Sequence, residues 1–221
     1  MAKTVALVAG ATGLVGQALV RQLSTDPAWS EVRALVRREL PAELSTATVV
    51  PVTVDYGRLD PPPAWAAADH VFCALGTTMR QAGSREAFRQ VDFDYPVALA
   101  RAALAKGARH YLLVTAVGAS AESRFFYNRV KGEVEEAILA LGYRSVTIAR
   151  PSLLLGPRKE TRLGEQVAKV FGMLAPARWK PVEATSVAAA LVDAARRDLP
   201  GIRVLENPEL TSVVRDDGIR R

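Results

Sequence analysis

The sequence predicts an α/β fold with a mainly parallel sheet, doubly wound so that helices cover both faces, and three observations predict it. Short apolar, β-branched runs recur along the chain, segments with apolar residues at helical spacing separate them, and the first junction between the two carries three glycines. Residues 5–9, 32–36, 49–54, 71–75, 111–115 and 146–149 read as buried strands. Residues 16–23, 64–68, 85–106 and 126–141 carry the helical spacing. Strand and helix in alternation imply crossover connections, which make neighbouring strands parallel and bury both sheet faces. Residues 57–63 and 156–164 are turn-rich and charged and read as loops, the second as a small C-terminal cap on the substrate side.

Length and composition bound the rest. A chain of 221 residues with 49% hydrophobic content can bury one substantial core, so residues 1–221 read as one domain. Its longest apolar runs, such as 111–117, fall far short of the roughly 20 residues a membrane-spanning helix needs. Residues 1–9 superficially resemble a signal peptide, but they run straight into a glycine turn and an amphipathic stretch that belong to a fold. The one cysteine, Cys73, cannot close an intramolecular disulfide, and a cytoplasmic location is expected. The net charge of +6 raises a nucleic-acid reading, yet the 29 basic residues are scattered. The pairs Arg37-Arg38, Arg196-Arg197 and Arg220-Arg221, and Arg158-Lys159 with Arg162, form no stripe interleaved with aromatics. Neither a nucleic-acid nor a membrane partner is expected.

Directly after the first strand stand Gly10, Thr12, Gly13, Leu14, Val15 and Gly16, in the pattern G-x-x-G-x-x-G, followed by a helix. Glycines there allow a tight turn, close approach of the backbone to a pyrophosphate and close packing of helix on strand, while the helix N-terminus presents N–H groups to the phosphates. The context points to a Rossmann-type dinucleotide site, and the spacing departs from the commoner G-x-G-x-x-G and resembles the short-chain reductase version. Such a site often holds an acidic residue at the end of the second strand for the adenosine ribose. Here Arg37 and Arg38 occupy that place. A carboxylate repels a 2′-phosphate and guanidinium groups bind it, so NADP(H) is expected in preference to NAD(H). Asp55, after the third strand, is placed either to meet the adenine edge or to form the turn before Gly57.

Tyr127 and Lys131 form a Y-x-x-x-K pair that helical spacing puts on one face. An ammonium beside a phenol favours the phenolate, which brings a tyrosine toward a useful acid/base range. Tyr127 is thus expected to protonate a substrate oxygen during hydride delivery, Lys131 to hold the nicotinamide ribose as well, and Thr115 to hydrogen-bond the substrate carbonyl. His70 and His110 lack partners at metal-ligand spacing, and no metal site is expected. No G-x-S-x-G elbow occurs, and Cys73 lies in a buried strand, where a thiol packs as a small apolar group.

Several stretches in order, GATGLVG at 10–16, CALGTT at 73–78, VDFDYPVALA at 91–100, GARHYLLVTAVGA at 107–119, FYNRVKGEVE at 126–135 and ARPSLLLGPR at 149–158, carry a resemblance. Together they make the chain similar to the atypical short-chain dehydrogenase/reductases, in the branch typified by the Tat-interacting protein oxidoreductase. The resemblance implies a sheet of about seven strands, with Leu75, Gly76 and Thr77 lining the cofactor, Val91 near the adenosine, and Pro151 with Leu153 beside the nicotinamide. Two positions depart from the superfamily pattern. Thr115 stands where many members have serine and is followed by Ala116, and Val91-Asp92 stands where extended members have V-N, so the asparagine of the usual tetrad is missing. Two functions follow from these residues: an NADP(H)-dependent oxidoreductase acting on a small carbonyl or alcohol, or a non-catalytic NADP(H)-binding regulator or scaffold. The resemblance permits the second because several atypical branches act through partners, and a protein partner or a homodimer fits it.

Overall fold

The computed structural model describes residues 4–156 and 176–216. Strand β1 (Val5–Ala9) sits at the centre, with β2 (Glu31–Val36) and β3 (Val49–Thr53) on one side and β4 (His70–Cys73), β5 (His110–Val114), β6 (Ser145–Arg150) and a last strand, Gly201–Glu206, on the other. Every pairing in this seven-stranded sheet is parallel. Strand order reverses between β1 and β4, which opens a crevice above their carboxyl ends.

Alternation along β1 divides the core in two. Ala6 and Val8 face one layer, with Leu19 and Leu23 of α1 (Leu14–Thr25), while Leu7 and Ala9 face the other, with Leu99, Tyr111 and Ile138. Helices α2 (Met79–Ala82), α3 (Arg85–Arg89), α4 (Tyr95–Ala105) and α5 (Phe126–Leu139) follow β4 and β5. Strands β7 (Leu154–Leu155) and β8 (Val182–Glu183) form a separate two-stranded sheet, and α6 (Ala184–Arg197) packs beside α1. Strand β9 (Gly201–Glu206) and α7 (Asn207–Asp216) complete the described chain. Among the described residues no helix is long and apolar enough to cross a membrane.

The expected elements are present with two differences, and β9 and α6 are additional to them. Residues 64–68 hold a single 3-10 turn, Ala64–Ala66, entered from Pro63. The helix expected over 85–106 is divided into α3, a π-helical turn at Gln90–Asp94, and α4. That turn puts the Asp92 side chain into the interior, where it is 1% exposed. Strand β9 escapes pattern reading because it is an edge strand whose side chains are mostly exposed, and the alanine-rich α6 gives little contrast between its faces. Of the expected cap, residues 157–164 lie outside the described residues, and β7 with β8 stands beside the crevice.

The opposite end of the sheet is closed by a polar cluster. His70 and His110 begin β4 and β5 with ring centroids 5.6 Å apart, and Trp29 meets His70 edge-on at 4.9 Å. Asp198, which ends α6 in a left-handed conformation with φ 43°, lies 3.8 and 3.9 Å from the two rings and pairs with Arg109 at 2.8 Å. Arg109 also pairs with Asp69.

Candidate functional site

A cavity of about 610 Å³ opens over the carboxyl ends of the central strands, bounded by the β1–α1 turn, the loop after β4, the start of α5 and the chain after β6. Each boundary has a local cause. Gly10 adopts φ +78°, and a Cβ there would lie 2.5 Å from the Ala74 carbonyl oxygen. A Cβ on Gly16 would lie 2.0 Å from the Gly10 oxygen, so only glycine lets α1 begin this close to β1. Gly13 is the N-cap and offers no side-chain hydrogen bond, and the first turn of α1 carries no acidic residue. Thr12 is exposed at the tip, its carbonyl accepting from the Gln17 amide at 3.0 Å. An open, uncapped N-terminus with Leu14 and Val15 at the cavity wall is a fitting cradle for the pyrophosphate of a dinucleotide.

On the opposite wall α5 carries Tyr127, Lys131 and Glu135 at intervals of four. Gly132 explains how it sits there: a Cβ would come within 2.1 Å of the Ala121 nitrogen, so the helix rests directly on its incoming loop. Tyr127 is 37% exposed, lines the cavity and packs its ring on Phe88 at 5.6 Å. Lys131 is 5% exposed, and its Nζ lies 2.8 Å from Oδ1 of Asp92. Burial acts to discharge this ammonium, but the Asp92 carboxylate and the Tyr127 phenol outweigh it and hold the lysine above its ordinary pKa. Asp92 also accepts a hydrogen bond from the Thr77 N–H at 2.9 Å, tying the lysine to the loop of Leu75, Gly76 and Thr77.

Thr115 lines the same cavity, yet its hydroxyl donates to Oε1 of Glu135 at 2.6 Å. Glu135 is 4% exposed and is neutralised by Arg150 at 2.5 Å, which also reaches Glu206 at 3.0 Å. A hydroxyl has one proton, so in this arrangement Thr115 has none left for a substrate carbonyl. Pro151 and Leu153 line the cavity, the second half exposed, with Trp179 near them.

The residues expected around the adenosine are not among those lining this cavity. Arg37 and Arg38 are exposed at the end of β2, and Val91 lies beside Asp92 in the π turn. Asp55 accepts from the Gly57 N–H at 3.0 Å, the turn-forming geometry. Sequence reasoning overlooked Asp92 as a partner of Lys131, treating it as a missing asparagine, and overlooked Glu135. A Y-x-x-x-K-x-x-x-E spacing was the available signal for the second.

A family model described as NAD(P)H-binding matches residues 10–198. The chain is 35% identical over 225 aligned positions to the protein FMP52, mitochondrial, of Eremothecium gossypii, covering 96% of this chain and 98% of that one. It is 37% identical over 174 positions to HTATIP2 of Rattus norvegicus, covering 78% and 72%. A short-chain dehydrogenase/reductase from Burkholderia thailandensis superposes with a TM-score of 0.72 at 22% identity, covering 98% and 97%, and MoeE5 in complex with UDP-glucose and NAD does so with 0.72 at 17%, covering 97% and 82%. These two establish likeness of fold. The expected cytoplasmic location is corrected by the sequence relatives: FMP52 proteins from Eremothecium gossypii, Candida albicans and Saccharomyces cerevisiae are named mitochondrial. A lone cysteine and a lack of long apolar runs do not distinguish one compartment from another. The chain belongs to the NAD(P)H-binding family, as an atypical short-chain dehydrogenase/reductase of the branch that includes HTATIP2.

Proposed function

We propose that the protein is an NADP(H)-dependent oxidoreductase that reduces a small carbonyl, or oxidises the corresponding alcohol, with Tyr127 as the acid/base. The observation that carries this reading is the placement of the Tyr127 phenol in the wall of a cavity whose other wall is the uncapped start of α1, with a buried ammonium one helical turn behind it. When bound, the reduced nicotinamide supplies the hydride. Tyr127 donates its proton to the substrate oxygen, so carbonyl, hydride and proton together make the alcohol. Lys131 stabilises the phenolate left behind, and solvent returns the proton, for which a tyrosine 37% exposed is accessible. Thr115 serves by fixing the end of β5 through Glu135, or turns its hydroxyl from Glu135 to the substrate carbonyl. Arg37 and Arg38 receive the 2′-phosphate. The substrate has an apolar flank: Val117, Leu153 and Trp179 border the cavity, and Lys131, already paired, is the one charged side chain lining it among the described residues.

The competing reading is a non-catalytic NADP(H)-binding regulator acting through a protein partner, and the commitment of the Thr115 proton to Glu135 favours it. Calorimetric titration with NADPH and NADH, followed by a carbonyl screen monitoring NADPH oxidation, separates the two. Tight NADPH binding with turnover is expected. Binding without turnover on apolar carbonyls supports the regulator, and failure to bind either nucleotide sinks both readings.

A further inference from the structure

The cavity wall that carries Leu153 and Trp179 is held by a residue from a remote part of the chain. Asn207 begins α7 directly after the edge strand β9, and it is fully buried. An asparagine at a helix start ordinarily turns its oxygen back on the helix as a cap. Here Glu209 serves the helix start, its carboxylate accepting from the Glu206 N–H at 2.9 Å, and the Asn207 amide is spent elsewhere. Its Oδ1 accepts from the Ser152 N–H at 2.8 Å, and its Nδ2 donates to the Lys180 carbonyl at 2.7 Å and to the Ala177 carbonyl at 3.3 Å. Trp179 lies between those two carbonyls, in the 3-10 turn Ala177–Trp179, and Leu153 follows Ser152. One side chain therefore joins the two strips of chain that present Leu153 and Trp179 to the cavity.

From this we infer that Asn207 is a positioning residue that fixes Leu153 and Trp179 relative to each other and so shapes an apolar slot for the substrate, which is a carbonyl or alcohol bearing an extended carbon chain. The inference rests on the reading of this cavity as the substrate site but concerns binding, which is measurable without turnover. The amide suits the task by its chemistry: one oxygen faces an N–H and one NH2 group faces two carbonyls. An aspartate would turn an oxygen toward those carbonyls, and an alanine cuts the tie on both sides. The surroundings hold Asn207 itself in place. Arg150 reaches the preceding residue, Glu206, at 3.0 Å and fixes the end of β9. Two further bonds close the same wall, the Ser152 hydroxyl donating to the Lys180 carbonyl and the Val182 N–H to the Leu153 carbonyl at 3.0 Å, where β7 and β8 meet. These two bind Lys180 and Val182, on the far side of Trp179, and leave the Ala177 end of its turn to Asn207.

The probes are the straight-chain alcohols from butanol to octanol, titrated into the full chain with NADP+ in excess. Binding is followed at the indole N–H resonance of Trp179, identified by its loss in Trp179→Phe, which confines the signal to this wall. In the unchanged protein each added methylene is expected to tighten binding by about two- to fourfold, the transfer gain of a largely buried CH2. In Asn207→Ala the gain per methylene is expected to fall below about 1.5-fold, because the slot no longer closes on the chain. A role confined to stability lowers the melting temperature and the folded fraction but leaves this gain per methylene as it is in the unchanged protein, since every alcohol of the series loses the same folded fraction. A gain unaltered in Asn207→Ala, or no dependence on chain length in the unchanged protein, overturns the inference. If Asn207→Ala does not fold, as judged by thermal melting, Asn207→Ser, which keeps a hydroxyl at the helix start but is too short to bridge both strips, decides by the same criterion. A protein that shows the expected pattern but turns over no carbonyl keeps the inference and loses the oxidoreductase reading.

Discussion

The two ends of the parallel sheet hold similar inventories of ionisable groups and use them in opposite ways. At the amino end, His70, His110, Arg109, Asp69 and Asp198 interlock with Trp29 and fasten β4, β5 and the end of α6 together. At the carboxyl end, Lys131, Asp92, Glu135 and Arg150 are paired just as thoroughly, but their pairing leaves a phenol and the uncapped start of a helix facing a cavity. The difference lies in backbone direction. In a parallel sheet every connection leaving a strand passes over the carboxyl end before becoming a helix, so helix N-termini and loops converge there around a space. The amino end receives helix C-termini and returning chain. Polar groups there cost stability unless they satisfy one another.

The sharpest way to break this comparison is to remove one functional group from each end. Tyr127→Phe is expected to lower turnover by something like 10² to 10⁴ with little change in NADPH affinity or melting temperature; steady-state kinetics beside calorimetry checks this, and retained turnover removes the phenol from the chemistry. At the other end, acid is the probe. Burial foremost, then the neighbouring His110 and Arg109, lower the pKa of His70 to about 4 against the opposing pull of Asp198 and Asp69. Burial likewise takes His110 to about 4, again against Asp198. Both rings are therefore neutral in the fold and bind a proton more readily when unfolded. Stability is complete above the unfolded value near 6.5 and declines as pH falls toward 4. Between pH 7 and pH 5 the loss is about 2 kcal/mol for each ring. Urea denaturation at the two pH values measures it, and a variant with both histidines replaced by asparagine should show a flatter pH dependence.

A smaller effect tests the exposed end of β2, outside the cavity lining. Arg37→Glu with Arg38→Glu is expected to weaken NADPH by roughly 10- to 100-fold, the contribution of one or two charge-assisted hydrogen bonds, and NADH much less. Equal weakening of the two nucleotides, seen by competitive titration, shows that these arginines do not read the 2′-phosphate.

How much of this was legible in the sequence differs between the two ends. The glycine turn is readable because its constraint is local: Gly10 needs a positive φ, Gly16 needs the absence of a Cβ, and both announce themselves by residue type. The Tyr127–Lys131 pair is readable for the same reason, since helical spacing alone puts the two side chains on one face. Asp92 is legible as a residue and illegible as a partner. Its sequence neighbours suggest a continuous helix over 85–106, and only the π turn and the packing of α5 bring it to Lys131. Thr115 is likewise legible in place but not in partner: its position after β5 is readable, whereas its hydrogen bond to Glu135, 20 residues away, is not. The His70–His110–Asp198 cluster has no sequence signature, because its members begin two strands and end a helix far apart in the chain.

By itself, then, the sequence determined the alternation of strands and helices, the parallel sheet, the glycine turn at the start of α1 and the shared helix face of Tyr127 and Lys131, all of which depend on residue types within one or two helical turns of each other. Tertiary structure alone decided which charges neutralise which. Electrostatic pairing depends on distance in space and on exclusion of water, and both are set only when elements from remote parts of the chain pack against one another.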